Sequence, residues 1–155
     1  MEINFTLDQD ELYDKKLIES FCDSLVDSIK ADIKNSIIPS KLPMLEKGLL
    51  NATWIRWSTK PSSINVVSVI NAILKCITWK KRRLTYQIYI RPDVKMPYTV
   101  NTTLEQVARF IDKGNLISKN TTMFSRIFNK YEKNIQTYWK AYKEFGYILD
   151  EGGEA

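Results

Sequence analysis

Few side chains in this sequence have the type and spacing that catalysis needs. It contains no histidine and only two cysteines, Cys22 and Cys76, so imidazole ligands, His-based triads and zinc-type ligand spacings are excluded. No Gly-rich phosphate loop and no serine nucleophile elbow occur. Glu19 with Asp23, and Asp23 with Asp27, stand four residues apart. Such pairs can bind a cation, but solvated helix faces carry them as a rule. Both cysteines fall in apolar helical patterns and read as buried free thiols. The expectation is a protein that is not an enzyme and uses no cofactor or metal.

Charge and aromatic content point elsewhere. Lys and Arg number 23 against 18 Asp and Glu, a net charge of +5, which favours anionic partners without specifying a fold. Four cations are consecutive: Lys80, Lys81, Arg82 and Arg83. They suit a phosphate backbone or an acidic protein surface, or equally a strand entry kept from aggregating. No helix-turn-helix, zinc finger or RNA-binding aromatic pair surrounds them, so sequence-specific recognition of nucleic acid is not expected. Trp54 and Trp57 flank Arg56 and are candidates for contact or core. Tyr131, Tyr138, Trp139, Tyr142, Phe145 and Tyr147 exceed what one helix face usually buries. The end of that helix, Tyr142 to Tyr147, is therefore expected to dock on a neighbour.

The elements that must position these residues follow from periodicity. Ile3, Phe5 and Leu7 alternate with polar residues as in a short strand. From Asp10 the period becomes helical, with Leu17, Ile18, Phe21, Cys22, Leu25, Val26, Ile29, Ile33 and Ile37 on one face. That predicts a long amphipathic helix capped by Asp8 or Asp10 and ending before Pro39. Pro43 begins a short helix through Leu45, Leu49 and Leu50. In "SSINVVSVINAILKCITWKK" the polar positions Asn65, Ser68, Asn71, Lys75 and Thr78 form a narrow stripe. This predicts a helix from Ser62 to Thr78, capped by Ser62 or Ser63, that is buried or faces another subunit. Leu84, Tyr86, Ile88 and Ile90 alternate in a strand stopped by Pro92. Thr102/Glu105 and Thr103/Gln106 both have capping-box spacing, opening a helix that Gly114 ends in a left-handed turn tolerated also by Asn115. A second long amphipathic helix runs from Met123 to Tyr142 and beyond.

The expected fold is α+β: two long amphipathic helices packed on a small antiparallel β-sheet, with additional short helices. Residues 1–149 read as one domain and 150–155, "DEGGEA", as a flexible acidic tail. The opening residues lack a basic, apolar leader, and no apolar run reaches the length of a membrane span. Function in a cytoplasm, with no membrane partner, is the expectation.

One stretch adds a family resemblance. "LEQVARFIDKGN" followed by "MFSRIFNKYEKNI" resembles the tail-completion and minor capsid family of tailed bacteriophages, of the lambda Z type. There an Ala-x-Phe/Tyr-Val/Ile-Glu-x-Gly-Thr segment leads through a loop into a long last helix. Ala108, Phe110, Ile111, Asp112, Gly114 and Asn115 stand in those places, and Phe124 and Phe128 begin the helix. Gly48 and Leu50 match a Thr-Gly-x-Leu turn that follows the family's first long helix. Asp112 replaces the usual Glu, Lys47 replaces the Thr, and the Arg-Pro pair often found before the last helix is absent.

The resemblance implies a structural virion protein of the phage neck, a ring-forming connector or tail-completion subunit present in the host cytoplasm during assembly. Its implied partners are further copies of itself, a portal or adaptor protein and a tail protein. Lys80 to Arg83 would then face DNA in the channel or an acidic neighbour. The competing expectation is a small, basic, sequence-tolerant DNA-binding or regulatory phage protein.

Overall fold

The computed structural model describes residues 1–8, 13–114 and 123–148. Among them the chain forms β1 (Glu2–Phe5), α1 (Lys15–Asn35), a single 3-10 turn (Pro39–Lys41), α2 (Leu42–Leu50) and α3 (Val66–Lys75). There follow β2 (Ile77–Arg82), β3 (Thr85–Ile90), α4 (Leu104–Gly114), α5 (Phe124–Lys133) and α6 (Ile135–Phe145). The class is α+β, with six α-helices and one small antiparallel sheet ordered β1-β3-β2. The expected tail at 150–155 and the turn residue Asn115 lie outside the described residues.

Register places the sheet's apolar face. Ile3 pairs with Ile88 and Phe5 with Tyr86 on one side, and Trp79 with Ile88 and Ile77 with Ile90 on the other. Paired residues share a face, so these side chains form one layer. Helix α1 covers the sheet with Phe21, Leu25, Ile29 and Ile33, all fully buried, and packs on β2 and α5. The free edge of β1 is closed by side chains. The Asn4 N–H donates to Glu132 Oε2 at 3.1 Å, and Gln136 Nε2 donates to the Thr6 carbonyl at 2.7 Å. A second layer, α3 against α2 and α4, extends the core away from the sheet.

Several boundaries differ from the sequence expectation. Helix α1 starts at Lys15, and its cap is Asp14, whose Oδ1 accepts the Lys16 N–H at 2.8 Å. Asp8 lies upstream of it and Asp10 outside the described residues. The helix stops at Asn35, before Ile37. Helix α3 is shorter than Ser62 to Thr78: Asn65 caps it, its Oδ1 accepting the Ser68 N–H at 3.2 Å, and Cys76 closes it. Ile77 and Thr78 belong to β2, where their β-branched side chains fit the pleat. Leu84 is not on the strand's buried side but 84% exposed, in the two-residue turn between β2 and β3.

The last long helix is broken. Asn134, at φ −111° and ψ 12°, separates α5 from α6, and its Nδ2 donates to the Lys130 carbonyl at 2.8 Å. The bend lets the aromatic face follow α1. Asp32 receives Lys130 Nζ at 2.8 Å and Tyr131 Oη at 2.7 Å, and the Tyr142 hydroxyl hydrogen-bonds Ser20. Trp139 is buried against Phe21, its indole N–H donating to the Asp8 carbonyl at 3.3 Å. The surplus aromatics are thus mostly core, with polar ends satisfied.

Candidate docking cleft and the charged hairpin

The motif residues meet in the second layer. Ala108 is fully buried on α4. Phe110, two residues on, lies against Gly48 of α2 and has its ring centroid 5.4 Å from that of Trp54. Asp112 is buried, and its two carboxylate oxygens accept the N–H groups of Phe124 (3.1 Å) and Ser125 (2.9 Å). A carboxylate on α4 therefore caps α5, satisfying N–H groups that no helical carbonyl reaches. Gly114 is the last residue of α4. Of the two capping-box registers, Thr103/Gln106 is the one formed: Thr103 Oγ1 accepts the Gln106 N–H at 3.2 Å, and Gln106 Oε1 accepts the Thr103 N–H at 2.8 Å.

Two loops frame an apolar cleft against α3. The segment 56–58 runs antiparallel to 98–100. The Val100 N–H donates to the Arg56 carbonyl and the Ser58 N–H to the Tyr98 carbonyl, both at 2.8 Å. Thr99, fully buried, hydrogen-bonds the Met96 carbonyl at 2.7 Å and stiffens the turn. Tyr98 has φ 63°, a left-handed conformation that residues other than Gly, Asn and Asp rarely hold, and its side chain is 65% exposed. Behind it lies a cleft of about 210 Å³ walled by Trp57, Val69, Ala72, Met96, Pro97 and Tyr98. Trp57 Nε1 is buried with no hydrogen-bond partner among the described residues. Strain of this kind, held in place by surrounding hydrogen bonds, concentrates at binding sites.

The apolar surface continues on the far side of α3. A shallower groove there is lined by Pro39, Leu42, Pro43, Val66 and Val67, with Glu46 as its one acidic wall residue among those described, and Ile64 and Asn65 line both grooves. Val67, Ile38 and Val100 are exposed, and Trp54 is 42% exposed. Sequence reading singled out Trp54 and Trp57. It missed Tyr98, whose only signal was an aromatic between Pro97 and Thr99.

The basic run is divided by the pleat rather than gathered between a helix and a strand. Lys80, Lys81 and Arg82 lie in β2, an edge strand, and Arg83 in the turn. Lys80 Nζ stands 4.5 Å from the centre of the Tyr89 ring on one face, and Lys81 Nζ stands 5.2 Å from that of Tyr86 on the other. Arg82 and Arg83 are exposed. Lys81 borders a groove of about 500 Å³ that also holds Tyr13, Lys15, Glu19, Trp79 and Tyr86.

Tyr142 departs from expectation: it is buried between α6 and α1, because its ring packs 5.3 Å from Phe21 and its hydroxyl meets Ser20. Phe145 and Tyr147 remain exposed, at 51% and 55%, with ring centroids 6.1 Å apart.

The acidic helix face is occupied. Asp23 Oδ1 accepts the Trp79 indole N–H at 2.8 Å, and Glu19 faces Lys15 at 3.9 Å. Among the described residues no group of three or more His, Cys, Asp or Glu side chains stands where it could hold a metal ion. No described helix is long and apolar enough to cross a membrane. Cys22 and Cys76 are free thiols; burial pushes Cys22 up to about 12 and raises Cys76 in the same direction. No protein-family model, curated protein or solved structure matches the chain.

Proposed function

We propose that this chain is a structural protein that works by docking on other protein chains, as a subunit of the ring at the head–tail junction of a tailed phage. The observation that carries this reading is the apolar lining on both sides of α3, a cleft bounded by Trp57 and the exposed Tyr98 and a groove bounded by the exposed Val67. Apolar patches of this kind mark contact sites on soluble proteins, and aromatic anchors dominate such contacts. The motif shared with the tail-completion family gives support of a different kind. Gly48 meets Phe110 and Asp112 caps α5, so the motif forms one packed unit adjoining that face. Lys80 to Arg83 then contact an acidic neighbour or DNA in the channel, with portal or adaptor and tail proteins above and below the ring.

Quantitative mass spectrometry of purified particles tests this. A fixed low copy number, on the order of one ring per particle, is the expected result. Abundance in cells with absence from particles overturns it.

A second reading, sequence-tolerant nucleic-acid binding, is favoured by the groove in which Lys81 stands beside Tyr13 and Trp79, next to the exposed Arg82 and Arg83. Stacking rings beside cations suit single strands. Neutralising Lys81, Arg82 and Arg83 then abolishes DNA binding and its salt dependence. If the unmodified chain has no measurable affinity at physiological salt, this reading fails.

A further inference from the structure

We propose that the segment from Phe145 to Ala155 of one copy docks in the α3 cleft of a second copy, an inference that rests on the ring reading above. The cleft's size selects the kind of guest. An apolar cavity of about 150 Å³ holds a benzene ring, whereas sites for small-molecule ligands start near 300 Å³. At about 210 Å³, the space between Trp57, Val69, Ala72 and Tyr98 suits one aromatic side chain.

Charge selects the sequence around that ring. The cations nearest in the chain supply the proposed rim: Arg56, Lys60 and Lys95 are exposed and adjoin the lining residues Trp57, Pro61 and Met96. Lys75, also exposed, follows Ala72 by three residues on the same helix. None of the described cleft-lining residues is acidic. Asp93 is engaged by Arg91 at 2.8 Å, and that hydrogen bond holds its carboxyl below the ordinary range. Glu46 lies in the groove across α3.

The proposed guest has the matching order. Gly146, at φ 80°, ends α6 in a left-handed turn. Phe145 and Tyr147 flank it with exposed rings. Ile148 and Leu149 follow, then Asp150, Glu151 and Glu154 with no cation among them. An aromatic anchor followed by carboxylates fits an apolar cleft followed by cations.

The fold favours a second copy over the same one. The end of α6 rests on the first half of α1, through Tyr142 on Ser20 and Phe21. The cleft is built on α3, which packs on α2 and α4. Donor and receiver are therefore different surfaces, the arrangement that closes into rings.

The test uses the full-length chain in three forms. Tyr147→Ser removes the donor's anchor, and Lys95→Glu with Lys60→Glu reverses the receiver's rim. All three sites are exposed, so folding is retained. First, a labelled peptide of residues 145–155 is titrated into the Tyr147→Ser chain, with binding read by fluorescence anisotropy. Binding that falls at least about tenfold on adding the rim reversals, and again on raising salt, is expected. No binding at millimolar peptide, or binding indifferent to the rim, overturns the proposal.

Second, sedimentation of an equal mixture of the Tyr147→Ser chain and the rim-reversed chain is compared with each alone. The mixture has one competent donor and one competent receiver, so it should give dimers and nothing larger while each alone stays monomeric. Association unchanged by either variant also overturns the proposal. Particles that still carry the protein at ring stoichiometry in that case show the failure to be of this interface and not of the ring.

Discussion

Gly48 on α2 faces the ring of Phe110 on α4 so closely that a Cβ at position 48 would stand 3.5 Å from Phe110 Cζ and 3.6 Å from Cε2. Those are ordinary van der Waals separations, so a methyl group fits and a longer side chain does not. Gly48 is also inside a helix, where glycine costs about 0.5–1 kcal/mol relative to alanine. Gly48→Ala should therefore raise the melting temperature by about 1–4 °C, while Gly48→Leu, which must displace Phe110 and with it Trp54, should lower it. Thermal unfolding of the two variants side by side checks the sign. A loss of stability in Gly48→Ala would mean that the helices approach more closely at this point.

Asp112 ties the last turn of α4 to the first of α5 through two backbone N–H groups. Removing both acceptors in Asp112→Ala leaves those donors near a buried position, and a loss of about 1–2 kcal/mol is expected. Asp112→Asn keeps one acceptor oxygen and should lose about half as much. Denaturant unfolding measures both, and equal losses would show that charge rather than hydrogen-bond count matters at this cap.

The cap also shows what sequence could and could not reveal. Asp112 was visible as a motif position, but its partners lie 12 and 13 residues on, across a connection whose geometry no local pattern specifies. The Thr103/Gln106 box, by contrast, is entirely local, and spacing alone named it beside its neighbour Thr102/Glu105. Amphipathic periods found α1 and β3 because each has one apolar face. They overran α3 into Thr78 because a strand residue there extended a helical stripe by chance. They also ran through Asn134, since Tyr131, Ile135 and Tyr138 keep helical spacing on both sides of the break. The cleft was invisible for a different reason. Trp57 and Tyr98 come from two loops without periodicity, joined by backbone hydrogen bonds that carry no side-chain signature.

Cys22 gives a pH dependence with a definite sign. Its thiol is buried on α1, and that burial, with Asp23 and Glu19 adding repulsion, raises it from 9.0 to about 12. Between those values the unfolded chain releases the proton and the folded chain keeps it. The unfolded state then binds fewer protons, so stability is intact below about pH 9 and falls as pH rises toward 12, by at most about 1.4 kcal/mol per pH unit. Other groups titrate in the same range, so the measurement is a difference. The stability gap between the parent chain and Cys22→Ala should narrow as pH rises from 9 to 11. Below pH 9 native Cys22 should resist thiol reagents and react only on unfolding.

Tyr98 sets stability against docking. Its φ of 63° costs a tyrosine about 1–2 kcal/mol relative to a relaxed backbone, and glycine bears no such cost. The ring is 65% exposed, so little packing is lost when it is removed. Tyr98→Gly should consequently unfold at the same or higher denaturant concentration than the parent chain. The same substitution removes one wall of the cleft, and binding of the 145–155 peptide should weaken by about tenfold or more, about 1.4 kcal/mol. A variant both more stable and weaker in docking would identify the strained tyrosine as kept for contact. Lower stability with unchanged docking would instead make Tyr98 a residue of the loop's own packing, and the cleft would lose its strongest claim to be a binding site.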